Sequence, residues 1–207
     1  MSAKPKLHPL PHEPKSLIHT NFDWKKIAYL MFVSRAMDRI EETQLVPGKE
    51  VLYQFSARGH DMSQIILGTR LNGPHDALAG YYRSRPLMLS LGMSLEDAMA
   101  GPLMRAGGYS DGRDIGVVHN LPNLKGPCGL PMSGGVGAQY TPVAGWAQSI
   151  HYYQRVLKDK SYRGAIAVAH GGEASTATSG FWASLTMATT LKLPMLFYIE
   201  DNGYGIS

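Results

Sequence analysis

The residues best suited to chemistry lie in the last third of the chain. Val168-Ala-His-Gly-Gly-Glu173-Ala-Ser-Thr is followed by an amphipathic run, then by Leu193-Pro-Met-Leu-Phe-Tyr-Ile-Glu-Asp-Asn-Gly-Tyr-Gly-Ile-Ser207. Each apolar run ends in polar residues and glycine. Read as parallel strands, the two runs deliver Glu173 and Asn202 to the carboxyl edge of a sheet, where open α/β sheets bind ligands. One carboxylate, one amide oxygen and a loop carbonyl make a set of hard oxygens. Mg²⁺ accepts such a set when substrate phosphates complete its shell. His119, in a long glycine-rich stretch, is a candidate for proton handling because an imidazole titrates near neutrality. His60 and His170 are further candidates.

Positioning these groups requires particular elements. Gly164 to His170 is a continuous apolar strand, as expected of a central parallel strand. Phe181 to Lys192 is a crossover helix and Leu193 to Ile199 the next strand, giving a right-handed βαβ unit. Upstream, Asp23 has the chemistry of an N-cap, and Ile27, Leu30, Met31, Val33, Met37 and Ile40 follow helical spacing from Trp24 to about Leu45. Gly59 to Leu71 predicts a second helix. Asp76 to Leu91 predicts a short strand or turn entering a helix, and Ser94 with Asp97 resembles a capping box. Gly107 to Gly137 reads as a long loop, and Gly137 to about Leu157 as a helix with small residues near its start. The fold class is therefore α/β, with a parallel sheet and helices on both faces.

Composition excludes several classes. The 207 residues are 44% hydrophobic and 17% charged, enough for one substantial core. The net charge of +4 is dispersed, and no basic stripe interleaved with aromatics marks a nucleic-acid surface. No apolar run is long enough to span a bilayer. The single cysteine, Cys128, precludes an internal disulfide and fits a reducing, cytoplasmic setting. It lacks a recognisable catalytic signature. Residues 1–22 carry Pro5, Pro9, Pro11 and Pro14 with His8, His12 and His19, and are expected to form a flexible arm ahead of a domain spanning 23–207. The common dinucleotide and P-loop glycine motifs are absent, as is a serine-hydrolase elbow.

The pair Glu173 and Asn202 resembles the signature of thiamine diphosphate-dependent enzymes, a Gly-Asp-Gly followed roughly thirty residues later by Asn-Asn. Leu193-Pro-x-x-Phe197 and Asn202-Gly-Tyr-x-Ile-Ser207 make the resemblance more specific. They are similar to the alpha subunit of the first, decarboxylating component of 2-oxo acid dehydrogenase complexes. Here Glu173 stands in place of Asp, as also occurs among branched-chain members. Ala174 replaces the second glycine and Asp201 the first asparagine. Phe55-Ser-Ala-Arg-Gly-His-Asp-Met-Ser-Gln64 looks like the family's early segment before its first core helix.

The resemblance implies thiamine diphosphate and Mg²⁺ as cofactors. The metal ligands it implies are Glu173, Asn202 and the backbone carbonyl of Tyr204, with Gly172 and Ala174 beside them. Tyr82 and Arg83 would hold the diphosphate, a role suited to a neutral donor beside a guanidinium fork. Gly134 and Val136 would meet the aminopyrimidine, with Val136 propping the bent cofactor. The implied reaction is oxidative decarboxylation of a 2-oxo acid, in a hetero- or homo-oligomer with a beta subunit or fused beta domain. The acyl group would pass to a lipoyl-bearing acyltransferase. Family members continue further, so the fold is expected to be only the N-terminal part of a thiamine diphosphate-binding domain, stopped at Ser207. Two alternatives stay open: an inactive or non-catalytic assembly module of this fold, and a thiamine enzyme of the acetoin dehydrogenase or transketolase type.

Overall fold

The computed structural model describes residues 21–114, 118–123 and 125–205. Most of the expected arm, and Ile206-Ser207 of the closing motif, lie outside these residues. Of the arm, Phe22 packs against the core, with the Arg70 guanidinium 4.0 Å above its ring. Helix α1 (Trp24–Ile40) starts where the Asp23 carboxylate accepts the Lys26 N–H at 3.0 Å, and it ends in a π-helical turn over Glu41–Leu45. Then follow α2 (Asp61–Gly68), β1 (Ala77–Ala79), α3 (Arg85–Ser90) and α4 (Leu95–Ala100). Ser94 caps α4 by accepting from Asp97 N–H. The return half of the capping box is not made, because Asp97 Oδ1 accepts from Tyr109 N–H.

The stretch read as an unbroken loop contains a strand, β2 (Cys128–Gly129). Its two residues show no alternation, and only pairing with Ala77 and Leu78 of β1 makes it a strand. Helix α5 (Tyr140–Arg155), strand β3 (Ala167–Gly172), helix α6 (Ser179–Leu191) and strand β4 (Met195–Glu200) complete the chain order. Thr178 caps α6 by accepting from Phe181 N–H. Lys192, left-handed at φ 52°, closes it while Leu193 N–H reaches back to the Ala188 carbonyl at 2.9 Å. That turn and Pro194 set the chain directly into β4.

All strand pairs are parallel and the order is β2-β1-β3-β4. Alternation divides the sheet's two faces. Leu78 and Val168 join one buried cluster with Ile27, Ile65 and Leu87 of α1, α2 and α3. Ala77, Ala79, Ala167 and Ala169 face the other cluster, with Tyr140, Val143, Ala147 and Ile150 of α5 and Ala188 of α6. Four alanines let α5 approach closely, so helices cover both faces as in doubly wound folds. Among the described residues no helix is long and apolar enough to cross a membrane.

Candidate functional site

The strand order creates a switch point. The chain leaves β1 towards β2 and leaves β3 towards β4, in opposite directions, so a crevice opens between the carboxyl ends of β1 and β3. A cavity of about 330 Å³ lies there. Its walls are the segments that follow the strands. Gly80-Tyr81-Tyr82-Arg83 follows β1, Ser133 to Gly137 follows β2 at a short distance, Gly172 to Ser175 follows β3, and Asn202 to Gly205 follows β4. Register brings the last two together, because Gly172 pairs with Glu200 and both strands leave the sheet at the same level. Asn202 Oδ1 accepts the Tyr204 N–H at 3.0 Å across the left-handed Gly203, folding this loop back over the strand end.

Tyr82, Arg83, Gly134, Val136, Gly172, Glu173, Ala174, Asn202 and Tyr204 all line this single cavity. His119 does not. It is buried in a separate small cleft with Met93, Asp97 and Asp114, and its backbone N–H points to Met132 Sδ at 3.3 Å. Burial, with the Arg85 cation nearby, pushes its pKa down to about 3. A neutral imidazole sealed away from the cavity is not placed to exchange protons there.

Beneath the cavity is a polar network with no signature in the sequence. Glu200, at the end of β4, is 4% exposed. Its Oε2 accepts the Tyr81 hydroxyl at 2.7 Å, and its Oε1 accepts Gln64 Nε2 at 2.9 Å. His170 Nε2 lies 3.1 Å from the same Oε1, out of line for a full hydrogen bond. Gln64 uses its whole amide: Nε2 also donates to the Arg83 carbonyl, and Oε1 accepts Leu87 N–H. Ser84 Oγ accepts Tyr81 N–H at 2.8 Å and lies 2.8 Å from His170 Nδ1. A carboxylate facing Nε2 selects the tautomer protonated there, which leaves Nδ1 to accept from Ser84. Burial holds His170 below its usual pKa, so it is neutral. Burial alone would raise Glu200, but the His170 ring close to Oε1 and the donors Tyr81 and Gln64 outweigh it, so its pKa lies below the ordinary carboxylate value and the group is ionised. Burial, with Glu200 beside it, pushes the Tyr81 phenol well above its ordinary value, so its proton stays on as a donor.

Arg83 stands on this network. Its Nε donates to Tyr81 Oη and its Nη2 to Tyr82 Oη, each at 3.2 Å, and its guanidinium carbon lies 5.6 and 5.0 Å from the two ring centroids. The loop holding it is tight. A Cβ on Gly80 would fall 2.3 Å from Ser84 Oγ, so only glycine fits there. On the other wall, a Cβ on Gly171 would fall 2.6 Å from Gln139 Nε2 and Tyr140 Oη. The start of α5, reached through the Ser133–Gly137 turn, can therefore press against β3.

The cavity presents a carboxylate, Glu173, and a guanidinium, Arg83, that are not paired with each other. Among the described residues no three His, Cys, Asp or Glu side chains cluster to hold a metal unaided. The oxygens at hand are one carboxylate, one amide and backbone carbonyls. They suit a hard cation only when a ligand supplies further oxygens, which is the habit of Mg²⁺ bound with phosphates.

A sequence model described as the dehydrogenase E1 component matches residues 29–207. The pyruvate dehydrogenase E1 component subunit alpha of Mycoplasma genitalium is 27% identical over 188 residues, covering 91% of this chain and 46% of that protein. The mitochondrial 2-oxoisovalerate dehydrogenase subunit alpha of Caenorhabditis elegans is 25% identical over 195 residues, covering 90% of this chain and 41% of that protein. The chain thus spans less than half the length of these curated relatives.

Proposed function

The chain belongs to the dehydrogenase E1 component family, and from that premise we propose that its cavity binds thiamine diphosphate with Mg²⁺. In the whole protein it would serve oxidative decarboxylation of a 2-oxo acid. The observation that carries this reading is the pairing of opposite demands on one cavity. Glu173 seeks a cation and Arg83 seeks an anion, and a diphosphate carrying Mg²⁺ satisfies both. Asn202 and the Tyr204 carbonyl are the neutral oxygens that would complete the protein's share of the metal shell. Bound there, the cofactor supplies the electron sink for losing carbon dioxide from a 2-oxo acid.

The chain's own residues bind and orient. Arg83 has two of its three nitrogens tied to tyrosine hydroxyls, which restricts the guanidinium before any ligand arrives and so limits the entropy lost on binding. Tyr82 brings a neutral hydroxyl beside that cation. Gly134 to Gly137 bring backbone within reach of a flat heterocycle, and the exposed Val136 side chain stands on the same wall. No His of this chain lines the cavity among the described residues. Proton transfer to substrate therefore falls to other parts of the assembly, in our reading a beta subunit or fused beta domain. A lipoyl-bearing acyltransferase would take the acyl group.

The test is calorimetric titration of thiamine diphosphate with and without Mg²⁺. The full-length protein should bind far more tightly with the metal, and Glu173→Ala should abolish that difference. Undiminished Mg²⁺-dependent affinity in the variant would sink the metal assignment.

A further inference from the structure

We propose that Glu200 is a positioning residue for this site, setting the Arg83 guanidinium through the Tyr81 hydroxyl. The proposal rests on the reading that the cavity takes a diphosphate. Glu200 touches no part of the cavity itself. It lies beneath Tyr81, whose phenol oxygen stands between Glu200 Oε2 at 2.7 Å and Arg83 Nε at 3.2 Å.

A phenol has one proton to give. If it pointed at Arg83, the tyrosine would oppose a donor with a donor. Glu200 takes that proton on its far side and turns the lone pairs towards Nε. The carboxylate thereby makes Tyr81 an acceptor for arginine.

The network also requires a carboxylate at this point. Tyr81 O–H converges on Oε2, while Gln64 N–H converges on Oε1 with His170 Nε2 close by. Two oxygens thus face donors from different elements. A carboxamide of the same shape has one acceptor oxygen, so its NH₂ must face either Tyr81 or Gln64. Either choice releases one side of the cradle. Gln64 also carries the Arg83 backbone carbonyl, at 3.0 Å. Both the main chain and the side chain of Arg83 therefore depend on partners of Glu200.

The experiment is a double-mutant cycle on the full-length protein, read as affinity for inorganic pyrophosphate in the presence of Mg²⁺. Melting temperature is followed separately. Glu200→Gln and Tyr81→Phe are each expected to weaken binding about tenfold, the size of one lost hydrogen bond. The double variant is expected to be no weaker than either single one, since both remove the same link. A double variant whose loss is the product of the two single losses overturns the proposal, as does Glu200→Gln binding within twofold of the parent. A merely structural role would lower the melting temperature without producing that non-additivity in affinity. If Glu200→Gln does not fold, Glu200→Asp replaces it in the same cycle with Tyr81→Phe, because Tyr81 itself lines the cavity. Losses that do not add support the link, and losses that multiply overturn it. Arg83→Ala separates the two levels of the argument. If Arg83→Ala binds weakly while Glu200→Gln binds normally, the diphosphate reading stands and only the role of Glu200 falls. If Arg83→Ala binds pyrophosphate at full affinity, both fall together.

Discussion

A buried histidine illustrates how far burial can remove a residue from the chemistry its type suggests. His119 has an ordinary imidazole and a glycine-rich neighbourhood, yet the fold closes over it and holds its pKa near 3. The consequence appears in stability. In the unfolded chain the imidazole takes up its proton near pH 6.5, whereas the folded state resists it until about 3. The folded pKa is depressed, so the stabilisation is complete above pH 6.5 and is lost as pH falls. Each such group contributes a slope of about 1.4 kcal/mol per pH unit in that window. His170, also lowered by burial, acts in the same direction. Urea denaturation between pH 5 and 6.5 should therefore show stability falling with acid. In His119→Gln that slope should shrink by about 1.4 kcal/mol per pH unit. An unchanged slope would mean that His119 is reached by protons in the folded state.

At the scale of elements, the site depends on helices that never touch it. Arg85, at the start of α3, pairs with Asp38 of α1 at 3.3 Å and with Glu41 at the head of the π turn. All three side chains are buried. Burial raises the pKa of both acids, against the pull of Arg85. A buried pair broken on one side leaves charge without compensation, at a cost of about 3–5 kcal/mol. Arg85→Met should lower stability by that amount, measured by urea unfolding at pH 7. It should lower it progressively less as pH falls, because both acids have raised pKa values and shed their charge sooner than ordinary carboxylates. This cluster left no trace in the sequence, because Arg85 lies 47 and 44 positions from the two acids it joins. Gln64 and Glu200 were equally hidden, 136 positions apart. By contrast, Glu173 and Asn202 were legible. They follow unbroken apolar strands, and strand direction alone decides which end of the sheet they reach. β2 was not legible, because a two-residue strand has no period to read. Val136 and Arg83 were placed by family resemblance, and the switch point between β1 and β3 gives a physical reason for them to share one cavity.

The whole molecule carries its functional residues on a sheet with one long exposed flank. Among the described residues β4 pairs only with β3, so its outer edge has unpaired backbone groups along six residues. That edge reads Met-Leu-Phe-Tyr-Ile-Glu. It has no lysine and no proline, and its only charge, Glu200, is buried in the network beneath the cavity. Leu196 is exposed, and Trp182 of the neighbouring α6 is 59% exposed. Natural proteins protect such edges with charge, proline, a bulge or a cover, because an open edge recruits another strand. The 207-residue chain by itself is therefore expected to self-associate through β4. Sedimentation velocity should show a weight-average coefficient that rises with protein concentration. Leu196→Lys, which adds charge on the edge without touching the cavity, should shift the distribution towards monomer. A chain that sediments as monomer at every concentration would show that the β4 edge is already covered.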